Sequence, residues 1–124
     1  MKEIISTESA PKAIGPYSQA NKSGNLVFVS GQLPIIPETG CLAEGIEAQA
    51  RQSLENISAI LKESGCDLSK VLKVNIFLKD LTNFKVVNEI YSTYFTENFP
   101  ARSTVEVAGL PMGAQIEIEV IATI

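Results

Sequence analysis

The chain has 124 residues, 45% of them hydrophobic, with Lys and Arg scattered singly and a formal net charge of −4. That is one domain over residues 1–124 with enough apolar content for a core, and it excludes a disordered chain and binding to nucleic acid by phosphate neutralisation. There is no histidine, which removes Ser-His-Asp and Cys-His catalysis, His-based zinc sites and the usual neutral-pH proton shuttle. Cys41 and Cys66 lie in no motif and fit a reducing, cytoplasmic compartment with both thiols free. No apolar run is long enough to span a membrane, and the N-terminus lacks the continuous apolar stretch of a secretory signal.

In chain order, Glu3–Ser6 reads as a short strand. Ala10–Pro16 is a loop held by two prolines and a glycine. Tyr17–Asn21 and Asn25–Ser30 read as a hairpin around Lys22-Ser23-Gly24. The second of these strands, LVFVS, is apolar on both faces, as a strand inside a sheet would be. It runs into Ser30-Gly31-Gln32. A glycine there either ends the strand in a turn or lets backbone come close to a ligand or a neighbouring chain. Pro34, Pro37, Gly40 and Gly45 keep residues 33–45 as loop. Ile46–Ser64 reads as a helix with Ala50, Leu54, Ile57 and Leu61 on one stripe and Gly65 just past its end.

Val71–Leu78 reads as a strand with Leu72, Val74, Ile76 and Leu78 on one face. A second helix is expected over Phe84–Asn98, capped by Thr82 or Asn83 and stopped by Pro100. Its stripe of Phe84, Val87, Tyr91, Tyr94 and Phe95 reads as core. Ala101–Ala108 and Gln115–Thr123 both alternate with period two, and Gly109, Pro111 and Gly113 punctuate the turn between them. The simplest pairing is an antiparallel hairpin with Ala108 opposite Gln115, which sets Glu117 against Glu106 and Arg102 against Ile121. Arg102 follows Pro100 at the mouth of a strand. It is either a ligand-gripping guanidinium or an ordinary surface arginine.

The expected fold class is α+β: a single mixed β-sheet with two helices packed on one face. The other face is expected to carry Arg102, Thr104, Glu106, Glu117, Glu119 and Ile121. Left uncovered and partly apolar, it is a candidate oligomerisation surface.

Four strings carry a resemblance: IGPYSQA at Ile14–Ala20, VSGQLP at Val29–Pro34, FPARSTVEVAGLP from Phe99, and the following IEIE. With AQARQSLENI and KVNIFLKDL between them, the chain resembles the RidA (YjgF/YER/UK) family of imine and enamine deaminases over almost its whole length. The resemblance implies a chorismate-mutase-like subunit, a homotrimer formed through the uncovered face, and sites in the clefts between subunits. It implies hydrolysis of 2-aminoacrylate, 2-iminopropanoate and 2-iminobutanoate to 2-oxo acids and ammonia, with no cofactor and no metal. By position, Arg102 would grip the substrate carboxylate and Glu117 would hold the attacking water or take its proton. The Thr104 amide and the Gly31 backbone would complete the pocket, shaped by Tyr17, Ser30, Phe84 and Asn88. Thr104 departs from the cysteine of well-studied relatives; threonine keeps the backbone amide and a small side chain. Two alternatives stand beside it: non-enzymatic binding of small 2-oxo acids, which the same Arg102 would serve, and endoribonuclease or translation-inhibitor action, also attached to the family, which an acidic chain without histidine disfavours. In the expected hairpin Arg102 and Glu117 are not neighbours. A site shared between subunits removes that difficulty and makes the monomer inactive.

Overall fold

The computed structural model describes residues 1–124. Six strands form one sheet: β1 (Glu3–Ile5), β2 (Ala20–Ser23), β3 (Leu26–Gln32), β4 (Val71–Leu78), β5 (Ala101–Glu106) and β6 (Ile116–Thr123), in the order β1-β2-β3-β6-β4-β5. Only β4 and β5 run parallel; every other pair is antiparallel. Two helices, α1 (Ile46–Glu63) and α2 (Phe84–Tyr94), complete the α+β fold.

The covered face of the sheet is the apolar set of each inner strand. Val27 and Val29, Val74, Ile76 and Leu78, and Ile116, Ile118, Val120 and Ala122 are all buried. They meet Ala50, Leu54, Ile57, Ile60 and Leu61 of α1 and Val87, Ile90 and Tyr91 of α2 in one cluster. Each fully buried Leu or Ile there contributes roughly 1.5–3 kcal/mol by leaving water. Helix α1 ends in a Schellman motif: the Cys66 and Gly65 amides bond the Leu61 and Lys62 carbonyls at 2.9 and 3.1 Å. Gly65, at φ 86°, supplies the left-handed residue this motif requires.

Three expectations are corrected. The C-terminal strands do not form a hairpin. β5 lies outside β4 as the sheet's parallel edge, because α2 carries the chain back to the start of β4 before β5 begins. The Val107 amide then bonds the Leu78 carbonyl, the chain crosses the end of β4, and β6 returns between β4 and β3. β6 takes that central slot because its inward face is wholly aliphatic and fully buried there. Second, α2 stops at Tyr94, four residues early. Phe95 leaves helical geometry and buries its ring on Tyr91, with centroids 4.6 Å apart. Third, the hairpin turn sits at Gly24-Asn25, since Ser23 pairs with Leu26.

Strand order also sets which residues share a face. Arg102 and Thr104 pair with Val74 and Ile76, so they point to the helix-covered side. Glu117 and Glu119 pair with Phe77 and Asn75 and point to the open side. The expected common face for these residues is therefore wrong. Edge strand β5 turns its apolar Val105 outward and its polar set toward the end of α2, the reverse of an inner strand.

Candidate active site

The site residues expected from the sequence fall into two groups, one on each side of the sheet. The first surrounds Glu117. β3 is irregular against β6 between Val29 and Gln32, and the two residues displaced are Ser30 and Gly31. A bulge of this kind re-aims groups at a strand end. Here it brings the Gly31 backbone against the Glu117 side chain. A Cβ at Gly31 would lie 2.8 Å from Glu117 Cδ and 3.0 Å from Oε2. Ser30 Oγ donates to the Ser18 carbonyl at 2.6 Å and fixes the bulge to the preceding loop. Tyr17 stands on that loop, its hydroxyl accepting from the Ile14 amide at 3.3 Å.

Tyr17, Ser30, Gly31, Glu117 and Glu119 line a cavity of about 960 Å³. Its far walls are loops held by buried amide side chains. Gln19 bridges residues 7–11: its Oε1 accepts from the Thr7 amide at 2.7 Å, and its Nε2 donates to the Thr7 and Pro11 carbonyls at 3.0 and 2.8 Å. Asn56, buried in α1, donates to the Leu33 and Ile35 carbonyls at 3.2 and 2.9 Å. Burial raises the proton affinity of Glu117, and the neighbouring Glu119 adds to the effect.

The second group surrounds Arg102. Its guanidinium carbon sits 4.7 Å from the Tyr91 ring centroid and 5.6 Å from that of Phe84. The cation rests on aromatic faces, which orient it without consuming its hydrogen-bond donors. Asn88, Ser92, Phe99 and Pro100 complete a depression of about 450 Å³ around it. Phe84, Asn88 and Tyr91 reach it because they lie at i, i+4 and i+7 on α2, one helical face. Thr104 follows two residues along β5 with its hydroxyl buried and unpartnered. β5 is an edge, so its outer row of backbone groups has no strand to bond, the condition a backbone-amide contact needs.

Within one chain the two groups do not meet. Arg102 and Glu117 are two strands and three residues apart, on the order of 14 Å between Cα atoms, with side chains on opposite faces. Sequence reasoning missed Tyr91, read as core; it is core on one side and the seat of Arg102 on the other. It also missed Gln19, although that residue sits inside the IGPYSQA string. No group of three or more Cys, Asp or Glu side chains converges as a metal-ligand set. No helix is long and apolar enough to cross a membrane.

Residues 7–124 match the family model described as Endoribonuclease L-PSP. The chain belongs to that family, the RidA family of the strings above. Among its relatives, Reactive Intermediate Deaminase A of Arabidopsis thaliana chloroplasts is 58% identical over 99% of this chain, which spans 66% of the plant protein's length. The 2-iminobutanoate/2-iminopropanoate deaminase of Salmonella typhimurium is 51% identical over 98% of both chains. A Thermotoga maritima crystal structure described as a putative endoribonuclease superposes with a TM-score of 0.97 at 52% identity, covering 100% of this chain and 98% of that one.

Proposed function

We propose that this RidA-family protein is a cofactor-independent deaminase that hydrolyses 2-aminoacrylate, 2-iminopropanoate and 2-iminobutanoate to 2-oxo acids and ammonia. The observation that carries the reading is Arg102, a guanidinium held on two aromatic rings with no carboxylate of its own chain paired to it. Such a group takes a planar anion by two parallel hydrogen bonds, each charge-assisted and contributing about 1.5–3 kcal/mol. The names borne by relatives of 51–58% identity supply the substrate class.

The chemistry asks little of the protein. 2-Aminoacrylate first tautomerises, its methylene carbon taking a proton from solvent, to the protonated form of 2-iminopropanoate. A protonated imine is already electrophilic, and water adds across its carbon–nitrogen double bond. Glu117 takes a proton from water as oxygen bonds to carbon and returns it to nitrogen. As the carbon–nitrogen bond breaks it takes the remaining hydroxyl proton, the carbonyl forms, and the departing ammonia carries that proton off as ammonium. The net change converts one iminium ion and one water into one 2-oxo acid and one ammonium ion, so charge and protons balance. General-base help of this kind is worth roughly 10²–10⁴-fold. Backbone carbonyls near Gly31 accept hydrogen bonds from the nitrogen.

The separation of Arg102 from Glu117 supports a site completed by a second copy of the chain. Arg102, Thr104, Phe84 and Asn88 come from one subunit, and Tyr17, Ser30, Gly31 and Glu117 from its neighbour. Heterologous contacts of this kind close into a ring, and a homotrimer working in the cytoplasm is the assembly proposed. The exposed apolar residues of the open face, Phe28 and Val105 among them, are what such an assembly would cover. RNA cleavage, which the family's description names, finds less support: the chain is acidic and has no histidine to act as acid or base.

The test generates the imine in situ with a serine or threonine dehydratase or an amino-acid oxidase and follows 2-oxo acid release. Wild type should accelerate release, and Arg102→Ala should lose the acceleration with its oligomeric state intact. Normal turnover by Arg102→Ala overturns the assignment. Binding of 2-oxobutanoate without acceleration by wild type replaces the enzyme with a carboxylate binder.

A further inference from the structure

β6 presents two glutamates on the open face, and both line the cavity. Only Glu117 has a part in the proposed reaction. Glu119 is two residues away on the same strand face, so its Cα lies about 6.6 Å from that of Glu117, inside a Debye length. It is also held. Asn75 stands directly opposite on β4 and its Nδ2 donates to Glu119 Oε1 at 3.1 Å. On its other side Glu119 borders the Ser30–Gly31 bulge, whose Gly31 backbone packs against Glu117.

Few other charges face Glu117. The N-terminal segment brings Glu8, Lys12 and the Tyr17 phenol to the cavity wall. Just past the end of β4, Lys79 lies two positions beyond Phe77, the residue opposite Glu117, with its amide bonded to the Gln115 carbonyl at 3.0 Å. Lys73 of β4 shares the open face one row beyond Asn75 and donates to Ser103 Oγ at 3.1 Å. β3 and the wall residues Leu33, Ile35, Pro37, Gly40, Pro111 and Met112 add no charge. Glu119 is thus the nearest charge in sequence on Glu117's own strand face, and its Asn75 hydrogen bond holds it there.

We propose that Glu119 is a positioning residue for the reacting proton: a second carboxylate, pinned by Asn75 on the strand face that carries Glu117 and lining the same cavity, that governs how Glu117 takes and returns its proton. The inference rests on the deaminase reading of Glu117. Burial and the Glu119 charge act on Glu117 in the same direction. The reaction explains the use. Glu117 must accept a proton from water and then give it to nitrogen, and a single group does both best when its proton affinity lies near the working pH. An ordinary exposed glutamate is too weak a base for the first step. A guanidinium brought in by a second copy pulls the affinity down further, and Glu119 opposes that pull.

The experiment is the pH dependence of kcat/KM for the full-length assembled protein, paired with a carbon-13 NMR titration of its labelled glutamate carboxyls. In wild type, activity rises as Glu117 ionises. In Glu119→Gln that acidic limb should move to lower pH, and in Asn75→Ala, where Glu119 is freed to swing into solvent, it should move the same way by less. Glu117→Gln should remove the limb and identifies the Glu117 resonance. A purely structural Glu119 would change the melting temperature or KM and leave the limb in place. That result in Glu119→Gln overturns the inference, and if this variant does not fold, an unmoved limb in Asn75→Ala does so. The NMR midpoint of Glu117 needs no turnover. Its fall in Glu119→Gln sustains the inference at the level of the proton even if wild type hydrolyses no imine, which would sink the deaminase reading alone; an unmoved midpoint overturns the inference.

Discussion

Replacing Gly31 with alanine should separate stability from catalysis. The added methyl would sit 2.8 Å from Glu117 Cδ, 3.0 Å from Oε2 and 3.1 Å from Cγ. Carbon atoms in contact prefer about 3.5–4.0 Å, so the carboxyl must retreat by roughly 1 Å. The retreat is cheap in folding terms, because what moves is the end of a flexible side chain facing a cavity. Gly31 is not among the glycines with positive φ, so alanine can adopt its backbone, and a compatible Gly→Ala change gains about 0.4–1 kcal/mol from the unfolded chain. The net stability change should be within about 1 kcal/mol of zero. Catalysis should respond differently, since a 1 Å misplacement of a reacting group costs about 10²-fold. The check is urea unfolding of Gly31→Ala beside the coupled imine assay and 2-oxobutanoate binding. The expected outcome is a near-native midpoint, retained ligand binding through Arg102, and kcat lower by about two orders of magnitude. Turnover within threefold of wild type would refute the idea that the missing side chain seats Glu117, and so would a loss of activity that merely follows unfolding.

A shared site can be tested by complementation. Subunits carrying Arg102→Ala and Glu117→Ala, inactive alone, should regain activity when unfolded and refolded together, because one retains the carboxylate and the other the guanidinium. Random mixing in equal amounts restores about a quarter of the interfaces, so no recovery, with mixed oligomers demonstrated by mass, would place the site within one chain. The Tyr91 hydroxyl is buried without a partner, while its ring carries Arg102. Tyr91→Phe should therefore be as stable as wild type or more so, with substrate KM little changed; a stability loss above about 1 kcal/mol would mean the hydroxyl is bonded after all. Tyr91→Leu removes the seat itself and should raise KM more than it lowers kcat, read from initial rates over a range of imine concentrations.

Most of the elements were legible because their signals are local. Period-two alternation marked β4, β5 and β6, and the stripe of Ala50, Leu54, Ile57 and Leu61 marked α1, with Gly65 ending it. The motif strings named both halves of the candidate site, including Arg102 and Glu117. Residues whose role depends on a distant partner were not legible. Gln19, Gln49 and Asn56 carry no local signal that singles them out, yet each is buried and tied to backbone of another segment. Tyr91 looked like core because a stripe at helical spacing does not say which of its members borders solvent at the helix edge.

By itself the sequence determined that the chain makes a sheet with two amphipathic helices, that no histidine can act in its chemistry, and which side chains are available for gripping a carboxylate and moving a proton. Alternation along β5 and β6 sorted their residues into two sets each, since neighbouring side chains on a strand must point apart. Which set of β5 shares a face with which set of β6 depends on strand order, and that is a property of the folded sheet. β6 enters between β3 and β4 because its aliphatic face needs covering on both sides, and α2 carries β5 to the edge. That arrangement, invisible in any local window, puts Arg102 beneath α2 and Glu117 on the opposite side of the sheet.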